Sequence, residues 1–229
     1  MRAASGGRFI VTIDGPAGAG KSTAARELAK RLGFTFVDTG ALYRTVGVAA
    51  TRAGIANTDG RALSKLLSGI IIEMRPGTDR QLVFLDERDV TEEIRTPEAS
   101  MAASAVSAVP EVRAGLLDLQ RRLALAGEAR SVLEGRDTGT VIFPDADMKF
   151  YVDASPEVRA RRRFDELSAK GAAVDPDKVF AETVERDKND STRAIAPLKC
   201  PDGAVRIDTS SMTVDEVVAM METTVREKM

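Results

Sequence analysis

The run Phe9-Ile10-Val11-Thr12-Ile13-Asp14-Gly15-Pro16-Ala17-Gly18-Ala19-Gly20-Lys21-Ser22-Thr23 decides the fold of this 229-residue chain. It opens with apolar, β-branched residues, the pattern of a strand buried in a parallel sheet. A glycine-rich loop follows. Residues 24–32 then have helical character, with Leu28 and Leu32 one turn apart. Gly15, Gly20, Lys21 and Ser22 satisfy G-x-x-x-x-G-K-[ST] between a strand and a helix, the context that gives the P-loop motif its meaning. The backbone N–H groups of such a loop form an anion nest, and the next helix adds the positive end of its dipole. Lys21 supplies a mobile charge for β- and γ-phosphates, and Ser22 is placed to reach Mg²⁺ or a phosphate oxygen. A chance glycine-rich turn is the competing explanation, and the flanking elements argue against it. The expectation is a nucleoside triphosphate site.

Composition narrows the chemistry. At 229 residues the chain suits one α/β domain with insertions and a large core. A net charge of −2 gives no general attraction to nucleic acid or acidic membrane. There is no His, which excludes His acid–base chemistry and His metal sites. The single Cys200 excludes an intramolecular disulfide and a Cys-based zinc site, and this cysteine use fits a reducing cytoplasm. Residues 1–8 carry two Arg but no apolar run, so neither a signal peptide nor a membrane anchor is expected there, only a short disordered lead-in. No run approaches transmembrane length.

Ligands of an open parallel sheet collect at the carboxyl ends of its strands. A short strand over 34–37, after a helix capped by Gly33, ends at Asp38-Thr39-Gly40-Ala41-Leu42-Tyr43-Arg44. Capping accounts for Asp38 or Thr39, opening a helix through Ala53, but not for Tyr43 and Arg44, which suit a second phosphorylated substrate. Thr58 or Asp59 opens a short helix to Leu67. Strands over 70–74 and 81–85 then form a hairpin, read as a small insertion, with a short strand or turn over 89–94. Thr96-Pro97-Glu98 starts a helix of small residues that runs to Ala108, and Pro110 starts another over 111–126. Arg113 lies in that first turn, against the helix dipole, which suggests another purpose for it.

A third strand, Ser131-Val132-Leu133, ends at Glu134-Gly135-Arg136-Asp137-Thr138-Gly139-Thr140. Arg136 and Asp137 suit either a ligand or a surface ion pair. A fourth strand covers 148–153. Ser155-Pro156-Glu157 opens a helix with Arg159, Arg161, Arg162 and Arg163, either a solvated basic face or a triphosphate-clamping lid. A break at 170–173 and a restart at Asp175-Pro176-Asp177 give a second helix. Arg186, Asp190 and Arg193 are spaced to share one face of it, as ion pairs or as ligand contacts. A last strand over 204–207 leads to a helix capped near Thr213, with Val214, Val217, Val218 and Met221 at core spacing.

The P-loop run, the Asp38–Arg44 and Glu134–Thr140 motifs and Arg193-Ala194-Ile195-Ala196-Pro197-Leu198, in this order, resemble the bacterial cytidylate kinases over nearly the whole chain. The resemblance implies a three-layer α/β P-loop fold with a central parallel five-stranded sheet. Its core would cover about 8–66, 96–154 and 194–229, with a monophosphate-binding insertion at about 67–95 and a helical lid at about 155–193. It implies ATP-dependent phosphorylation of CMP and dCMP, with Mg²⁺. Gly15, Pro16, Ala17, Gly18, Ala19, Gly20, Lys21, Ser22 and Thr23 would bind ATP, with Arg162 and Arg163 from the lid. Ser104, Arg113 and Asp137 would meet the cytosine, and Arg186 and Asp190 the sugar. Arg44, Arg136 and Arg193 would hold the acceptor phosphate in a pocket lined by Thr39 and Tyr43. Lys21, Arg136 and Arg193 would be catalytic. Some family members have Gly at the position of Ser22, so either Ser22 or Thr23 would touch the phosphates, and Ser22 would reach Mg²⁺ directly or through water. A cytoplasmic monomer is implied, without nucleic-acid or membrane partners.

Base chemistry agrees with the resemblance. Cytosine offers an N4 amino donor to a carboxylate, whereas uracil would set an O4 acceptor against Asp137. A kinase of another nucleotide, of shikimate or of dephospho-coenzyme A shares the P-loop. An NTP-driven switch would need N-K-x-D after a strand, and Lys188-Asn189-Asp190 falls in an expected helix.

Overall fold

A computed structural model describes residues 7–77, 80–169 and 171–229. Residues 1–6 of the expected lead-in, the hairpin tip at 78–79 and position 170 lie outside the described residues. The chain runs β1 (Phe9–Asp14), α1 (Lys21–Leu32), β2 (Thr35–Asp38), α2 (Thr39–Arg52), α3 (Gly60–Gly69), β3 (Ile72–Arg75), β4 (Leu82–Leu85) and β5 (Arg88–Asp89). It continues through α4 (Pro97–Val106), α5 (Pro110–Ala124), β6 (Arg130–Gly135), β7 (Met148–Asp153), α6 (Pro156–Ala169), α7 (Pro176–Thr192), β8 (Val205–Asp208) and α8 (Val214–Lys228).

Five strands form a parallel sheet in the order β2-β6-β1-β7-β8. β1 sits at its centre and is buried almost throughout, as its apolar run requires. Its register sets Ile13 beside Glu134 and Asp14 beside Gly135, so the P-loop and the Glu134–Thr140 segment leave neighbouring strand ends. On one face, Leu28 of α1 and Val218 and Met221 of α8 pack against Val11, Ile13 and Phe150. On the other, Ala124 of α5 meets Ile10, Val37 and Leu133.

A further core joins α2, α3, α4 and α5 to a small antiparallel sheet of β3, β4 and β5. Leu42, Val46, Leu63, Val83, Ile94 and Leu116 lie within it. Gly47 lets α2 approach α4: a Cβ there would stand 2.7 Å from the Cβ of Ala102. Among the described residues, one side chain fastens the small sheet to β2. Gln81 Nε2 donates to the Phe36 carbonyl (2.7 Å), and its Oε1 accepts from the Asp38 N–H (3.2 Å).

Several boundaries differ from the sequence reading. The second strand runs from Thr35 to Asp38, because Phe34 turns inward to pack against Phe9 with ring centroids 6.1 Å apart. α3 continues to Gly69, which delays the hairpin strand to Ile72. The 89–94 segment divides: β5 pairs with β4 across a two-residue turn at Asp86 and Glu87, both with positive φ, and a 3₁₀ turn then covers Glu93–Arg95. The 134–140 segment is not a simple loop, since a short π turn occupies Thr138–Ile142.

Candidate active site

Gly15 follows β1 with φ 149°, and a Cβ there would stand 1.9 Å from the Val152 carbonyl oxygen of β7. Only glycine fits between these strands. Gly20 takes the left-handed conformation as N-cap of α1. Lys21 is buried, and its Nζ donates to the Pro16 carbonyl at 2.6 Å. Burial, then the charges of Arg136 and Arg186, push its pKa down to about 7, against the opposing pull of Glu134 and Asp14. Ser22 Oγ donates to Glu134 Oε1 at 2.6 Å. Burial and the nearby Asp38 charge raise the Glu134 pKa.

The sequence motif contains Glu134 without marking a role for it. Asp14, at the end of β1, is equally unmarked. Its fully buried carboxylate accepts from Thr138 N (2.8 Å), Thr138 Oγ1 (2.8 Å) and Gly139 N (2.7 Å). These bonds explain the π turn: one carboxylate at the end of β1 gathers the backbone after Asp137 and fixes where Arg136 and Asp137 leave the sheet. A signal existed, since an acidic residue closing a buried strand needs partners of its own.

At the end of β2, Asp38 both caps α2, accepting from Ala41 N at 2.9 Å, and pairs with Arg44 at 2.7 Å. Burial alone would raise its pKa, yet Arg44, the Ala41 N–H and Arg95 together hold it below the usual carboxylate value. Thr39 Oγ1 donates to the Glu134 carbonyl at 2.7 Å, tying the β2 and β6 ends together. The buried Tyr43 ring lies under the Arg113 guanidinium, 5.5 Å from it.

Arg113 and Asp137 form a buried ion pair, and Arg113 Nη1 also donates to the Ser107 carbonyl at 3.1 Å. That pair answers the misplaced charge in the first turn of α5. Arg193 Nη2 stands 3.8 Å from Asp137 Oδ1, and its Nε donates to the Ala196 carbonyl at 2.6 Å. Ser104 is half-buried on α4, its carbonyl accepting from Ser107 Oγ at 3.0 Å. Arg136 Nε donates to Asp190 Oδ2 at 3.0 Å. Arg186 is pushed down to about 10 by burial first and then by Arg136. Arg193 is the first residue beyond α7, so it does not share the helical face of Arg186 and Asp190, although it reaches the same cluster.

The arginines of α6 divide in a way that spacing did not reveal. Arg159, which sequence reasoning left unassigned, is 4% exposed. It donates to the carbonyls of Ala154 (2.8 Å) and Ala17 in the P-loop (3.3 Å), and it pairs with Asp187 of α7 at 2.6 Å. Arg162 donates to Thr209 Oγ1 (3.1 Å) and to its carbonyl (2.7 Å), and Thr209 Oγ1 reaches the Ala19 carbonyl at 3.1 Å. Arg163 pairs with Glu166, and Arg161 with Asp165, along α6 itself.

Three nitrogens of these arginines, Nε of Arg44, Nε of Arg186 and Nη2 of Arg193, are buried without a hydrogen-bond acceptor among the described residues. Convergent guanidinium donors that lack acceptors suit an anion with several oxygens. The family model described as Cytidylate kinase matches residues 11–227.

The chain belongs to the cytidylate kinase family.

Among curated relatives, a cytidylate kinase of Pelotomaculum thermopropionicum is 50% identical over 212 residues, covering 92% of this chain and 93% of that protein. A cytidylate kinase of Geobacter sulfurreducens is 48% identical over 228 residues, covering 100% of this chain and 97% of its own. The crystal structure of an uncharacterized protein from Eubacterium ventriosum shares the fold, with a TM-score of 0.50 at 11% identity over 96% of this chain and 99% of that one. The central parallel five-stranded sheet is the one expected from the family resemblance. No helix among the described residues is long and apolar enough to cross a membrane.

Proposed function

We propose that this member of the cytidylate kinase family transfers the ATP γ-phosphoryl group to CMP and dCMP, giving ADP with CDP or dCDP. The observation that carries the reading is the buried carboxylate of Asp137, held between Arg113 and Arg193 at the carboxyl end of β6. A carboxylate there accepts from the cytosine N4 amine, while Arg113 and Ser104 donate to N3 and O2. Uracil would turn an acceptor toward the same carboxylate, at a cost of about 1–3 kcal/mol for the unpaired group.

Arg186 and Asp190 hold the sugar. Arg44, Arg136 and Arg193 hold the acceptor phosphate, with Thr39 and Tyr43 as walls. The P-loop from Gly15 to Thr23 cradles the ATP phosphates, and Arg162 and Arg163 approach from the lid. The acceptor is an anion near neutral pH, so no strong general base is needed, in keeping with a chain that has no His. Catalysis rests on alignment of the two phosphates and on charge neutralisation by Lys21, Arg136 and Arg193. We assign 67–95 to the monophosphate side and 155–193 to a lid that closes over the substrates and excludes water. The protein acts as a cytoplasmic monomer in this reading.

Mg²⁺ fits the residues present. Ser22 Oγ and Glu134 Oε1 meet at 2.6 Å, two hard oxygen donors beside the P-loop, and Mg²⁺ commonly takes few protein ligands and completes its shell with phosphates and water. Bound there, it would neutralise charge on the ATP phosphates. The test is ATP-dependent ADP release with CMP, dCMP, UMP, AMP, dTMP, GMP and shikimate as acceptors. Strong turnover confined to CMP and dCMP is expected. ATP binding without turnover on any acceptor would end the assignment.

A further inference from the structure

A narrow cleft opens between α1, the β2 end and the small sheet, walled by Ser22, Arg26, Asp38, Arg80, Gln81 and Arg95. None of Arg26, Arg80 or Arg95 has a role in the reaction described above. The Arg95 side chain is half-buried and makes no hydrogen bond or ion pair among the described residues, and its Nε is buried without an acceptor. Arg26, one turn after Ser22, likewise has no ion pair among the described residues. Among the described residues, Arg80 pairs only with the exposed Glu92, at 2.6 Å. The one carboxylate in the cleft wall, Asp38, is already engaged by Arg44 and by the start of α2.

Three arginines thus line a cleft in whose wall the one acidic residue, Asp38, is taken. A desolvated, unpaired cation is costly, and an anion with several oxygens relieves it. Burial first, and then the repulsion of Arg44 and Arg80, lower the Arg95 pKa, with Asp38 and Glu92 opposing. The cleft is held open in shape by the two bonds of Gln81 to the β2 backbone.

We propose that Arg95, with Arg26 and Arg80, forms a phosphate-binding subsite separate from the Arg44, Arg136 and Arg193 set. Its ligand is free inorganic phosphate, distinct from the acceptor phosphate held by Arg44, Arg136 and Arg193. The subsite stands on the cleft itself and does not require the acceptor to be CMP.

The full-length protein is first saturated with Mg²⁺, a non-hydrolysable ATP analogue and CMP, so that the P-loop and the acceptor pocket are filled. Inorganic phosphate is then titrated by calorimetry into wild type, Arg95→Gln, Arg26→Gln and Arg80→Gln. Tenfold or greater weakening in Arg95→Gln and weakening of a few-fold in each of the others are expected. Phosphate binding seen only when CMP is left out assigns the phosphate to the acceptor pocket and overturns the subsite. Phosphate binding that persists beside both nucleotides supports it. Unchanged phosphate affinity in Arg95→Gln, or no phosphate binding by wild type, overturns it. Should Arg95→Gln fail to fold, Arg26→Gln on the exposed face of α1 decides alone: undiminished affinity there overturns the proposal. Turnover of CMP by wild type is assayed separately, so failure of the subsite and failure of the proposed reaction are distinct results.

Discussion

At the scale of single residues, Lys21 carries the clearest consequence. Its pKa is lowered from 10.5 to about 7 by burial among arginines. A triphosphate beside it would favour the charged form and raise the pKa again. Between pH 7 and the ordinary lysine range, the free protein therefore holds this group largely neutral and the complex holds it charged. ATP binding at pH 8 should take up to about one proton per site, and at pH 6 none from this group. Calorimetry in buffers of different ionisation enthalpy measures this directly, and identical heats at pH 8 would remove the argument. Lys21→Ala should lower turnover by orders of magnitude while circular dichroism and the thermal midpoint stay near wild type. Asp137→Asn exchanges a pure acceptor for a group that also donates. It should shrink the preference for CMP over UMP by roughly 5- to 150-fold, the equivalent of one unpaired polar group, read as a ratio of kcat/KM values.

Elements show why some parts of the fold were readable and others were not. β1, the P-loop and α1 are specified by a continuous run, so pattern and motif agree locally. β7 matches its expected bounds because its six residues are flanked by turn chemistry. The four arginines of α6 were ambiguous because their distribution depends on what lies around the helix: the Ala17 carbonyl, Thr209 and Asp187 take two of them inward, and no spacing rule contains those partners. Glu134 and Asp14 were overlooked for the same reason, since their hydrogen bonds cross between strands distant in sequence. Arg113 was legible because it broke a local rule, a cation in the first turn of a helix. Close packing of α2 on α4 was visible only as a stripe of small residues. Gly47→Ala sets its Cβ against Ala102, 2.7 Å away, and backbone atoms stand only 3.2 and 3.3 Å from it. An overpacking cost of about 1–3 kcal/mol should lower the thermal midpoint by about 2–12 °C. Differential scanning calorimetry would show it, and an unchanged midpoint would mean that the two helices separate freely.

For the molecule as a whole, Arg159 links three regions: it sits on α6, pairs with α7 and bonds the P-loop. The proposed lid and the nucleotide loop are therefore mechanically joined before any substrate arrives. Asp187→Asn should raise the KM for ATP several-fold while leaving the KM for CMP within about twofold, since Arg159, which bonds the P-loop, loses the carboxylate that holds it. Equal changes in both constants would point to general loosening instead. The fastening of the small sheet also bears on behaviour in concentrated solution. β2 is an outermost strand, and its outward N–H and C=O groups are the kind that template pairing with another chain. By occupying the Phe36 carbonyl and the Asp38 N–H, the Gln81 amide imitates one peptide unit of a missing neighbour. Gln81→Ala would leave that border unguarded, and light scattering on warming should then rise steeply with protein concentration, so that a single surface amide keeps a catalyst from becoming a seed for aggregation.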